Sequence, residues 1–188
     1  IQVAKMVSNK MDIETFCETS MSLLKAYHLP RLIIEQNGPG TAAINFYHYR
    51  KEYENLVHFD PLGKRLGLIS TNPLKRFAVI AFKSYIQKKL LKIYDHETVK
   101  ELLSFGKKGT NQWEGLGGNH DDHVMSLIWL IYYICSPMFY GNVSDKEIST
   151  LSDDSSILLT EDILNDELIT QANLHNPHFH KELLANAS

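Results

Sequence analysis

Residues 117–136 read GGNHDDHVMSLIWLIYYICS, and their reading decides the fold. Two glycines and Asn119 loosen the backbone. His120, Asp121, Asp122 and His123 then open a run from Val124 to Cys135 in which Ser126 is the only non-apolar residue. That run is shorter than the ~20 apolar residues of a membrane span and longer than an ordinary strand. It predicts a core helix capped by Asn119, carrying carboxylates on its first turn and stopped by Pro137. A helix that is apolar on all sides must be covered on all sides.

Adjacent aspartates at a helix start admit two readings. Acidic side chains there offset the positive end of the helix dipole, by about 0.3–1 kcal/mol each. Alternatively, hard oxygen ligands held at the end of a rigid buried helix bind a divalent cation such as magnesium or manganese. The second reading needs another carboxylate, and Glu35 offers one. Residues 31–36 read RLIIEQ, an apolar strand ending in an acid, and Asn37-Gly38-Pro39-Gly40 follows as a turn. In open α/β sheets, ligands bind at strand ends.

Taken in order, IQVAKMVS at the start alternates like a strand, and Asp12 fits the N-cap of a helix reaching about His28. After the strand at 31–35 come a helix over 41–52 and a short strand at 56–59. The pattern is βαβαβ, which predicts an α/β layer fold with a partly parallel sheet. Lys64–Ser70 is read as a strand or an ordered loop. Asn72-Pro73 gives an N-cap and a proline at the first helical position, ahead of Leu74, Phe77, Ala78 and Ala81 at helical spacing. Leu90–Tyr94 is read as a strand, Asp95 as a cap, 96–105 as a helix and Gly106–Asn119 as a loop.

Charge is unevenly distributed behind the net value of −3. Residues 1–140 hold 17 Lys and Arg against 13 Asp and Glu, whereas 141–188 hold 2 against 9. From Lys64 to Lys108 there are 11 basic residues and only Asp95, Glu97 and Glu101 as acids. That block suits either a phosphate backbone or a solvated surface. The reading is therefore one domain over 1–140 and an acidic tail over 141–188, with an amphipathic stretch at Ile157–Leu168 and the histidines His178 and His180. Cys17 and Cys135 form neither a disulfide framework nor a zinc motif, which fits a reducing cytoplasm. Neither a signal peptide nor a GxxxxGK[ST] phosphate loop is found, so ATPase activity cannot be argued from these residues.

The order of IIEQNGPG, then TNPLKRFAVIAF, then GLGGNHDDHVMSLIWL resembles the nuclease domain of the large terminase subunit. These are the DNA-packaging motor proteins of tailed bacteriophages, with relatives in herpesviruses. The resemblance covers roughly residues 1–136, and G-x-H-D-D-x-V-M-S-L is its most specific part. It implies an RNase H-like fold, a mixed central sheet with helices on both faces. It also implies endonucleolytic cutting of concatemeric double-stranded DNA in the cytoplasm of an infected bacterium, with Mg2+ or Mn2+ as cofactor and two ions in the complete site. Glu35 matches the family's strand glutamate, Asp122 its aspartate in the H-D-D motif, and Asp121 a neighbouring auxiliary acid. Lys75 and Arg76 resemble basic residues beside the DNA path. Lys107, Lys108 and His120 join them as candidate DNA contacts. The partners implied are the terminase ATPase domain or an N-terminal fragment carrying it, the portal and the small terminase subunit.

One family element has no counterpart here. The third metal carboxylate lies on the family's first strand, upstream of the segment that IQVAKMVS resembles. Asp60 is either a substitute or a turn residue beside Pro61. The expectation is that the first strand and the ATPase half lie outside this chain, and that alone it binds metal weakly and cuts poorly. Two other functions share the same residues: an RNase H-like nuclease of another kind, such as a Holliday-junction resolvase, and a non-catalytic module that binds DNA or the motor.

Overall fold

A computed structural model describes residues 2–59, 65–109, 112–136 and 139. Asp60 and the tail over 141–188, with its amphipathic stretch and histidine pair, lie outside them. The described residues are mixed helix and sheet, an α/β arrangement in two compact units. One unit comprises residues up to Lys75 together with Lys92–Asp121, and the other contains Arg76–Leu91 and the chain from Asp122.

In the first unit, α1 (Ile13–Ala26) starts where the sequence predicts. Asp12 caps it, its Oδ1 accepting the Thr15 N–H at 2.9 Å. The apolar face of α1 supplies Cys17 and Met21 to a core shared with Ala43, Ile44, Phe46 and Tyr47. Those four come from α2 (Gly40–Asn45) and from the wider π-helical turn at Phe46–Arg50 that extends it. Burial pushes the Tyr47 phenol up to about 12, and Ser20 shares a hydrogen bond with it. A neutral hydroxyl with a partner is the form that a core tolerates.

The strands predicted at 31–35 and 56–59, and residues 65–70 of the segment read as a strand or an ordered loop, do not form strands. They meet in isolated bridges, parallel at Leu32–Leu56 and Glu35–Leu68 and antiparallel at His58–Leu66. The opening segment departs from expectation. Gln2–Val7 builds no ladder; its backbone tie is Gln2 N–H to Lys92 O at 3.3 Å, and Leu90–Tyr94 is likewise not a strand. Val3 and Val7 are 69% and 57% exposed, so the alternating face has no core to cover and burial gives no reason to form a sheet.

Side chains tie that segment down instead. Asp95 caps α4 (His96–Ser104), and its Oδ2 accepts from Thr98 N–H, Thr98 Oγ1 and Lys5 Nζ, all at 2.7 Å. The predicted loop after α4 contains a hairpin, β1 (Phe105–Lys108) antiparallel to β2 (Gln112–Gly115).

In the second unit, α5 (Asp122–Ile134) is the predicted core helix. It buries Val124, Met125, Leu127, Ile128, Trp129, Ile131, Tyr132 and Tyr133 but leaves Ser126 and Leu130 exposed. Cover is therefore nearly, not wholly, all-round. Phe77, from α3 (Asn72–Gln87), meets Tyr132 edge-on with centroids 6.1 Å apart. Burial pushes the Tyr132 phenol up to about 12. Among the described residues no helix is long and apolar enough to cross a membrane.

Hydrogen bonds from Lys5 and Thr98 hold the Asp95 carboxyl well below the usual carboxylate range. A carboxylate whose folded pKa is depressed stabilises the fold above its unfolded value, about pH 4, and that contribution is lost as pH falls through the folded value. Asp95→Ala is thus expected to lower the melting temperature at pH 7, with the gap to the parent protein narrowing at acidic pH. A gap independent of pH, followed by circular dichroism, contradicts the pairing.

Candidate active site

Glu35 sits at the end of a backbone segment that is fastened twice on one edge. Leu32 N–H donates to Asn55 O at 2.9 Å and Val57 N–H to Leu32 O at 3.0 Å. Further along, Leu68 N–H donates to Ile34 O at 2.8 Å and Gln36 N–H to Leu68 O at 2.7 Å. Residues 32, 34 and 36 face the same way, as strand alternation requires. Asn37 then closes the end: its Nδ2 donates to Ser70 O at 3.1 Å and its Oδ1 accepts from Ser70 N–H at 2.8 Å. Reading Asn37 as a turn residue missed this clamp, which mimics one more rung of backbone pairing.

The turn leaves no space for a side chain at its far end. A Cβ on Gly40 would fall 1.7 Å from the Glu35 carbonyl oxygen, so α2 begins directly against the backbone at Glu35. Thr41 Oγ1 adds a bond to Gln36 O at 3.1 Å. The Glu35 side chain is half-buried.

The acidic motif is approached through a turn with left-handed backbone at two successive glycines. Gly117 and Gly118 have φ of 70° and 79°, a region glycine enters without steric cost. Asn119 closes this turn, its Nδ2 donating to Leu116 O at 2.8 Å. Asn119 is not the cap predicted from the sequence, because α5 starts at Asp122, three residues later. His120 is exposed, Asp121 half-buried and Asp122 exposed. Asp122, Ser126 and Leu130 fall at i, i+4 and i+8 and form the exposed stripe of α5. Ser126 Oγ donates to Asp122 O at 2.9 Å.

The basic candidates divide. α3 starts at Asn72, and Thr71 precedes it, accepting Leu74 N–H on Oγ1 at 3.4 Å and Lys75 N–H on its carbonyl at 2.8 Å. The capping role therefore belongs to Thr71 rather than to Asn72. This first turn places Lys75 Nζ 3.6 Å from Asp121 Oδ2, with the two side chains 21% and 24% exposed. The structure thus brings one predicted DNA-path lysine to one predicted metal carboxylate. Arg76 is exposed. Lys107 and Lys108 are exposed on β1, with Lys108 in an ion pair with Glu114. Glu35 belongs to the first unit, and Asp122 opens the helix of the second.

The candidate ligands are carboxylate oxygens, the donor type that magnesium and manganese prefer. Asp121 already attracts a cation, the Lys75 ammonium. Among the described residues no group of three or more His, Cys, Asp or Glu side chains is gathered around one point suited to a metal ion.

Compared with known families and curated proteins, the chain matches no family model and no curated relative.

A double-mutant cycle with Lys75→Met and Asp121→Asn is expected to return a coupling of about 0.5–1 kcal/mol in denaturant unfolding at low salt. The coupling should shrink in concentrated salt. A value near zero at low salt contradicts the pair.

Proposed function

We propose that the chain is the nuclease part of a viral DNA-packaging terminase, an RNase H-like domain that cuts concatemeric double-stranded DNA in the cytoplasm of an infected bacterium. The observation that carries this reading is the ion pair between Lys75 and Asp121. It joins the basic segment TNPLKRF to the H-D-D motif, two stretches far apart in sequence that are both expected beside the DNA. The placing of Glu35 at the end of a clamped parallel segment supports it.

In this reading Glu35, Asp121 and Asp122 are the carboxylates that hold Mg2+ or Mn2+. The bound ions supply Lewis acidity and a water of lowered pKa for attack on the phosphodiester. Lys75 has two tasks. While no metal is bound its ammonium offsets the negative charge of Asp121, and with DNA present it is placed to meet a phosphate oxygen. Arg76, Lys107, Lys108 and His120 extend the positive surface along the backbone, which makes binding strongly dependent on salt. The ATPase half of the terminase, the portal and the small subunit are the partners of such a domain.

Plasmid nicking in Mn2+ or Mg2+ tests the reading. It is carried out with the chain alone, which is expected to cut poorly, and with the chain mixed with a polypeptide that supplies the family's first strand, in which the variants are compared. Glu35→Ala and Asp122→Asn are each expected to lower the rate by at least about 100-fold, the usual scale for removing one charge-stabilising group, with circular dichroism unchanged. Metal-dependent nicking that survives both substitutions overturns the assignment. Duplex binding without nicking, sensitive to Lys75→Glu but not to Asp122→Asn, points to a non-catalytic DNA-binding module instead.

A further inference from the structure

The β1–β2 hairpin sorts its charges by face. Its register pairs Gly106 with Glu114, Lys107 with Trp113 and Lys108 with Gln112. Because side chains alternate along a strand, Lys108 and Glu114 share one face, while Lys107, Phe105 and Trp113 share the other. On the first face the Glu114 carboxylate holds the Lys108 ammonium. On the second, Phe105 and Trp113 stack with centroids 6.3 Å apart and planes 20° from parallel, and Lys107 lies directly across from Trp113. Lys107 is exposed, and among the described residues no acid lies within ion-pairing distance of it.

Two four-residue strands form a marginal element by themselves, so the aromatic stack stiffens the platform that carries both lysines. The lysines are adjacent in sequence but differ electrostatically. One is a cation open to an incoming anion, and the other is neutralised by a neighbour. Polyanionic DNA is the complementary partner, since β1 closes the block from Lys64 to Lys108, with 11 basic residues and three acids.

We propose that this hairpin grips duplex DNA with Lys107 as its primary phosphate contact, and that Glu114 is an internal competitor withholding Lys108 until a phosphate displaces it. The proposal rests on the reading of the chain as a nuclease of double-stranded DNA. The Lys108 and Glu114 side chains are 63% and 37% exposed, and a pair so open to solvent is weak enough for a phosphate to replace the carboxylate.

The test is fluorescence anisotropy of the 188-residue chain with a labelled duplex of about 20 base pairs, in EDTA so that nothing is cut, over a range of salt concentrations. Lys107→Glu is expected to weaken binding at least about tenfold and to reduce the slope of log affinity against log salt by about one. Lys108→Ala should cost less than Lys107→Ala, and Glu114→Gln should tighten binding severalfold. Intrinsic emission gives a second readout. Of the two tryptophans, Trp129 is 4% exposed and Trp113 lies on the Lys107 face, so a DNA-induced change should vanish in Trp113→Phe, which keeps an aromatic stack. If the parent chain binds duplex but Lys107→Glu binds equally well, or Glu114→Gln binds no tighter, the hairpin assignment is overturned. The nuclease reading then still stands or falls on metal-dependent nicking. A parent chain that binds no duplex at low salt overturns the hairpin assignment as well.

Discussion

The Glu35 carbonyl oxygen and Gly40 approach so closely that any side chain at position 40 would displace one of them. Much of the first unit depends on that approach. It lets α2 start within a four-residue turn of the parallel segment and lay Ala43 and Ile44 into the core with Cys17 and Met21 of α1. It also holds the backbone at Glu35 from one direction, while Leu68 and the Asn37–Ser70 clamp hold it from the other. A carboxylate on a fixed backbone keeps its place at little entropic cost when a ligand arrives, which is the use of preorganisation in a polar site.

Electrostatics divide the basic residues into those already engaged and those left open. Lys75 and Lys108 have carboxylate partners, Asp121 and Glu114, whereas Arg76 and Lys107 are exposed. An ion pair inside the protein must be exchanged for one with phosphate before it adds affinity. On the proposed reading as a DNA nuclease, the positive block would offer less binding strength than its composition suggests, and binding would respond to what occupies the acids. Asp121 is the instructive case, since the group that neutralises it is itself a candidate DNA contact.

Elements with local signals were legible in the sequence. Asp12 and Asp95 cap the helices that they predict, and the apolar run after the H-D-D motif is a core helix. Errors arose where partners are distant or absent. Gln2–Val7 has the alternation of a strand, but its valines have no core beneath them, so the pattern carried no burial. Asn119 has a side chain suited to capping, but the helix begins three residues later and Asn119 closes the two-glycine turn instead. The hairpin was hidden because each strand has four residues, and its stabilising stack joins Phe105 to Trp113 across a turn. At the candidate site, RLIIEQNGPG predicts a strand ending at Glu35, and the structure has isolated parallel bridges there instead of a strand. The meeting of Lys75 with Asp121 could not be read from the sequence, because no local pattern links residues so far apart.

The claim that most needs a direct test is that the carboxylates of IIEQ and HDD serve metal binding. Titrating Mn2+ into isotope-labelled protein and following paramagnetic broadening of backbone amide signals locates the ion without any assay of activity. If the proposed nuclease function is right, the first signals lost are those around Glu35 and around Asp121 and Asp122, while those of α1 persist. Broadening that starts elsewhere, or that spares either stretch at saturating Mn2+, would contradict it.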